Sequence, residues 1–156
     1  MSYTHQRTDA RTMRKPTRKA LALRLALVAI VACLAGSLAG TLFVFAGGEP
    51  FSFADLLGFA SLSFVAALLL CAILYAPALA LLRHRLKGRT PTLLFLSAPL
   101  LLNVPLFLLL LAAARSGGFF SGAGEVAVFA VAFATTGALF GLGFVWSFRR
   151  ARASHA

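Results

Sequence analysis

Four long apolar runs, separated by short polar or glycine-containing breaks, set the pattern of the chain: about Ala20–Ala46, Phe53–Leu82, Thr92–Ala114 and Ala123–Phe148. Each exceeds the ~20 residues a helix needs to cross ~30 Å of hydrocarbon. A backbone inside lipid must satisfy its own hydrogen bonds, so runs of this length are economical only as helices. Transmembrane strands need only ~10 residues and an apolar–polar alternation, and neither feature is present. The pattern predicts an all-α integral membrane protein with four transmembrane helices. Short connections make sequential neighbours antiparallel in the bundle.

The breaks carry helix punctuation. Gly47-Gly48-Glu49-Pro50 stops the first run, and Ser52 with Asp55 reads as an N-cap followed by an acid in the first turn. Gly88 closes the second run, and Thr90-Pro91 offers a cap and an N1 proline to the third. Ser116-Gly117-Gly118 ends the third. The second run is longer than a perpendicular span requires, so it tilts or lays its first turns in the interface. Residues 1–19 form a basic tail, disordered or on the lipid surface, and residues 149–156 form a second basic tail. The transmembrane domain is 20–148.

Charge fixes an orientation. The chain up to Arg24 holds Arg7, Arg11, Arg14, Lys15, Arg18, Lys19 and Arg24; the second break holds Arg83, Arg85, Lys87 and Arg89; the end holds Arg149, Arg150 and Arg152. The opposite side has Arg115 alone. The positive-inside rule then puts both termini in the cytoplasm, with the basic blocks against anionic lipid headgroups. A multi-pass protein of the bacterial inner (plasma) membrane is expected. The net charge of +11 would point to nucleic acid in a soluble chain. Here the cations flank apolar runs, so no nucleic-acid partner is expected. Composition agrees: 60% of residues are hydrophobic and 12% charged, whereas a soluble domain has about 45–50% and about 25%.

Candidate chemistry is sparse. Cys33 and Cys71 lie inside apolar runs without a CxxC, so neither a thiol-redox motif nor a zinc cluster is expected. His5, His84 and His155 lie outside the runs, which removes an intramembrane bis-histidine haem site. No cofactor or metal is expected. Ile30-Val31-Ala32-Cys33 resembles a bacterial lipoprotein lipobox, which implies acylation of Cys33 and cleavage before it. Against that, the apolar run continues to Ala46 with no polar linker, and the intact span is the expected form. Gly47-Gly48, Asp55 and Phe59-Ala60 recur seventy residues on as Gly117-Gly118, Glu125 and Phe129-Ala130, an echo that chance explains in so Phe- and Ala-rich a chain.

Three features remain. Small residues recur along the first run to Gly36 and Gly40, and along the fourth to Gly137 and Gly141, each pair a GxxxG. Such stripes let backbones approach closely, and the two stripes are expected to face each other near Gly36 and Gly137. The outer rim gathers Glu49, Asp55, Arg115 and Glu125; helix-start capping explains the acids better than a ligand site does. In the third run, Asn103 lies between Pro99 and Pro105 near mid-bilayer, level with Thr135 and Thr136 of the fourth. An unpaired amide there is costly, so a bond to Thr135, to Thr136 or to a carbonyl freed by a proline is expected, worth little in stability. Alternatively, Asn103 lines a path.

No His, Asp, Glu or Lys lies in the central part of any run, where proton-coupled or charged-substrate carriers place an ionisable group. No nucleophile–base constellation is visible either, so an enzyme is not expected. The expected function is a non-catalytic membrane component acting through helix packing, as a homo-oligomer or an accessory subunit. The alternative is a small oligomeric transporter or pore with the broken third helix near the path. The orientation is directly testable. In a cysteine-free background, a single cysteine at residue 86 should resist impermeant thiol reagents in intact cells. One at residue 49 should label.

Overall fold

The computed structural model describes residues 18–47, 52–87, 91–116 and 123–153. Among these the chain is helical: α1 (Arg18–Ala46), α2 (Phe53–Leu70), a π-helical turn (Cys71–Tyr75), α3 (Ala76–Arg85), α4 (Thr92–Arg115) and α5 (Ala123–Ala153). The π turn joins α2 to α3 in one continuous span. Among the described residues, four helical stretches are long and apolar enough to cross a membrane: Lys19–Ala46, Leu56–Arg85, Thr92–Ala113 and Val126–Arg150. The chain is an all-helical, multi-pass membrane protein. Helix continues past the apolar runs into basic sequence, through Arg85 and through Ala153. Lys and Arg are good helix formers, and their long stems keep the charged head in water while the backbone stays helical.

Helix α5 is the centre. It packs against α1 along one side and against α4 along another, and α2 packs on α1. Of the most apolar stretch of α5, 56% is buried, against 11% in α4. Helix α4 thus rests on α5 by a narrow stripe. The core is largely aromatic. Phe95 of α4 stacks on Phe144 of α5 with ring centroids 5.6 Å apart, and Phe144 meets Phe148 at 4.7 Å. Phe59 of α2 meets Phe129 at 5.0 Å. Tilted and offset ring pairs of this kind add about 0.5–1.5 kcal/mol beyond the area they bury.

The two glycine stripes do not face each other. Gly36 and Gly40 of α1 lie against α5: a Cβ at Gly36 would collide with the Thr136 hydroxyl and come within 2.5 Å of the Ala132 carbonyl oxygen. At Gly40 it would meet Ala132 Cβ at 3.1 Å and the Val128 carbonyl at 3.3 Å. Gly137 and Gly141, however, lie against α4, not α1. A Cβ at Gly137 would meet Pro99 Cβ at 3.0 Å, and one at Gly141 would strike the Phe95 carbonyl. The reason is angular. Residues 136 and 137 are about 100° apart around a helix of 3.6 residues per turn, so Thr136 serves α1 while Gly137 serves α4. The glycine of α5 that faces α1 near its basic end is Gly143, which abuts Val28.

Proline explains why α4 needs that glycine stripe. Pro99 is fully buried and has no N–H, so the carbonyl of Phe95 loses its helical donor. That same carbonyl is seated on Gly141. With no side chain, Gly141 presents a Cα–H to it, a weak but favourable contact. Pro77 acts differently. It sits in the first turn of α3, and immediately before it the ladder widens, with the Ala76 N–H bonded to the Cys71 carbonyl five residues back. The backbone thus accommodates the donor missing at Pro77 with a π turn, one of the established responses to such a gap. Past α3, the left-handed residue is Lys87, with φ 49°, one position before Gly88.

These contacts separate tight glycines from loose ones. Gly36→Ala and Gly141→Ala should each cost about 1–3 kcal/mol through overpacking against backbone and hydroxyl oxygens. A methyl group at Gly58 would meet nothing within 4 Å. Gly58→Ala should instead be neutral or stabilise by up to about 1 kcal/mol, from helix propensity alone. Equilibrium unfolding in bicelles, compared across the three variants, checks the ordering.

Candidate functional site

Among the described residues of the spans the polar side chains are few, and the constellation that joins most helices centres on Asn103. The Tyr75 hydroxyl, from the π turn, donates to Asn103 Oδ1. Asn103 Nδ2 donates to the Phe133 carbonyl of α5 at 3.2 Å. One amide thereby ties three spans together. The π turn brings Tyr75 to this point: its residues Cys71 and Tyr75 are both buried, Tyr75 completely. A phenol is a large apolar body with a polar tip, and burying it requires a partner for that tip. Asn103 supplies it.

The expected partners of Asn103 are therefore replaced. Thr136 is buried, but its hydroxyl donates back to its own helix at the Ala132 carbonyl, 2.8 Å away, on the side facing Gly36. Thr135 is half-buried. The depth argument selects the correct level of α5, yet the accepting group is a main-chain carbonyl on the α4 side. Nor is it a carbonyl freed by proline, because α5 contains none. The Phe133 oxygen accepts the amide in addition to its place in the helix ladder.

Beside Asn103, between α4 and α5, lies an open groove of about 200 Å³ lined by Leu100, Val104, Phe107, Ala130, Phe133 and Ala134. Apart from the amide its walls are apolar. Elsewhere in the bundle, Ser37 of α1 donates to the Ala60 carbonyl of α2 at 2.7 Å, and Ser147 donates to its own helix at Gly143. Cys33 and Cys71 also meet, with sulfurs 3.8 Å apart. Neither Tyr75 nor this thiol pair is expected from the pattern of runs and breaks. The available signal is the i, i+4 spacing of Cys71 and Tyr75 just before Pro77, which sets both on one face of a helix.

The outer-rim residues are not brought together by anything the described atoms show. Glu49 lies outside the described residues. Asp55 and Glu125 fall in the first turns of α2 and α5, with side chains outside the described set. Arg115 is exposed in the last turn of α4. At the other end the basic residues lie on aromatic and polar neighbours. The Arg83 guanidinium sits 3.7 Å above the Phe148 ring, and that of Arg150 is 4.9 Å from the Trp146 ring. Arg149 donates to Thr92 Oγ1 at 2.9 Å, joining the end of α5 to the start of α4. Among the described residues, no group of three or more His, Cys, Asp or Glu side chains gathers to hold a metal. Comparison with protein-family models, with curated proteins and with solved structures gives no match to this chain.

The buried phenol changes the expectation for Asn103. Asn103→Leu leaves the Tyr75 hydroxyl without its acceptor, and an unsatisfied buried donor costs about 1–3 kcal/mol. The change should be clearly destabilising rather than nearly neutral. Adding Tyr75→Phe should recover part of the loss, with a coupling energy between about 0.6 and 1.7 kcal/mol, the span found for interhelical bonds in membranes. A double-mutant cycle on unfolding in bicelles measures it.

Proposed function

We propose that this chain is a non-catalytic, multi-pass component of a bacterial inner membrane that works through helix packing, as a homo-oligomer or as an accessory subunit of a membrane complex. Sequential spans run antiparallel and both termini are cytoplasmic. The basic ends of the spans contact anionic lipid headgroups. The observation that carries this reading is the engagement of Asn103 at both ends of its amide. Among the described residues of the spans, the strongly polar side chain placed to line a path is used as a clamp between helices.

Two further observations support it. Glycine contacts against backbone oxygens fix α1 and α4 on α5 at close range, which suits a rigid scaffold better than a moving gate. Helix α4 is covered on little of its surface, leaving a broad apolar face for lipid or for another membrane helix. The groove beside Asn103 favours the second reading, a small oligomeric transporter or pore, because it brings an open space to a polar atom at mid-span.

Native mass spectrometry after gentle extraction, paired with solute and ion flux in liposomes, decides between them. Under the packing reading, one defined oligomer or a stoichiometric membrane partner is expected, with flux no greater than in empty liposomes. Flux that disappears on Asn103→Leu while the protein stays folded supports the pore and overturns the packing reading. A lone monomer without partner or flux overturns both.

A further inference from the structure

The chain has two cysteines, and the fold brings both to one place. Cys33 comes from the middle of α1 and Cys71 opens the π turn; their sulfurs are 3.8 Å apart, and the residues are 0% and 2% exposed. Neither is bonded in a disulfide. The pairing depends on an irregular piece of backbone. The π turn aims Cys71 at Cys33 and Tyr75 at Asn103 within one widened turn. π turns are rare and concentrate at functional sites. The clamp on Asn103 uses the Tyr75 end of this turn, and nothing in that clamp requires a thiol at the other end.

The chemistry open to two apposed thiols in an apolar interior is narrow. A metal bis-thiolate keeps two anionic ligands, and charge in such surroundings is costly. A disulfide is neutral, as the thiols are. Its sulfurs lie about 2.05 Å apart, so closure from 3.8 Å requires a modest approach of two side chains already in contact. Thiol–disulfide exchange with water-soluble partners needs access from water, and burial of both residues denies it. A two-electron oxidant that dissolves in the bilayer and leaves no charge behind fits these constraints. A lipid-soluble quinone is of that class.

We propose that Cys33 and Cys71 form an intramembrane dithiol that a lipid-soluble quinone oxidises to an interhelical disulfide, locking α1 to the π turn. Two S–H bonds break and one S–S bond forms. The two electrons and two protons pass to the quinone, whose carbonyl oxygens become the hydroxyls of the quinol. The reaction starts and ends with neutral species on the protein. Both sulfurs are covered at rest, so the quinone reaches them when the seam between α1 and α2 opens, where Ser37 bonds the Ala60 carbonyl. The proposal does not rest on the packing reading, because closure is intramolecular in a monomer or an oligomer alike.

The test uses the full chain in phospholipid nanodiscs, reduced and then incubated with a short-chain ubiquinone analogue. After denaturation, free thiols are alkylated and the intact mass is measured. The expected result is loss of both alkylatable thiols, a mass two hydrogens lighter within a single chain, and one quinol formed per disulfide. In Cys33→Ala the remaining thiol should stay alkylatable. Molecular iodine serves as the geometric control. Closure by iodine but not by quinone overturns the quinone chemistry; closure by neither, or disulfides only between chains, overturns the pairing. A mature chain that begins at a lipid-modified Cys33 also overturns it, and the same mass spectrum reports that outcome.

Discussion

The close seating of two helices on two different faces of α5 governs the rest of the fold. Apolar side chains gain little by leaving lipid for protein, so helices in a bilayer are held by surface fit and by a few interhelical polar contacts. Helix α5 provides the fit twice. On one side Thr136, Ala132 and Val128 receive the glycines of α1, and on the other Gly141 and Gly137 receive the carbonyl of Phe95 and the ring of Pro99. The contact with α4 joins an irregularity on one helix to a missing side chain on the other. The donorless carbonyl that Pro99 creates would clash with any residue larger than glycine.

The polar contacts follow from the same logic of exchanged defects. Pro77 removes a donor from the second span, and the backbone answers with a π turn. That turn directs Tyr75 to Asn103, whose remaining polar group reaches the Phe133 carbonyl. The amide and phenol satisfy each other where neither could be left unpaired. With no His, Asp, Glu or Lys in the central part of its runs, the chain still builds a specific interior, from aromatic rings, proline, glycine and one amide.

Much of this is legible in the sequence. The four runs and their breaks mark the helices closely, because length and hydropathy act locally. The clustered cations mark the basic ends of the spans, and Arg149 beside Thr92 shows two such ends as neighbours. The GxxxG glycines lie where a Cβ would meet a neighbouring helix closely, but spacing names a face and not the helix that covers it. Hence Gly137 and Gly141 read as partners of α1 when they belong to α4. The depth of Asn103 is readable, while its partners are not, because they depend on the π turn and on a main-chain oxygen. A main-chain oxygen has no side-chain signature, and Pro77 marks the turn without naming what it aims at. The thiol pair is hidden for the same reason, since 38 residues separate Cys33 from Cys71 and only the packing of α1 on the second span unites them.

Helix α5 thus uses two different faces, one for α1 and one for α4, and the fold stands or falls on that division. Magic-angle-spinning NMR of the carbon-13-labelled protein in lipid bilayers reads it directly, through carbon–carbon contacts between helices. Cross-peaks joining Gly36 to Thr136 and Gly141 to Phe95 are expected in the same sample. Cross-peaks joining Gly137 or Gly141 to the Gly36–Gly40 stretch of α1, with none to Phe95 or Pro99, would contradict it.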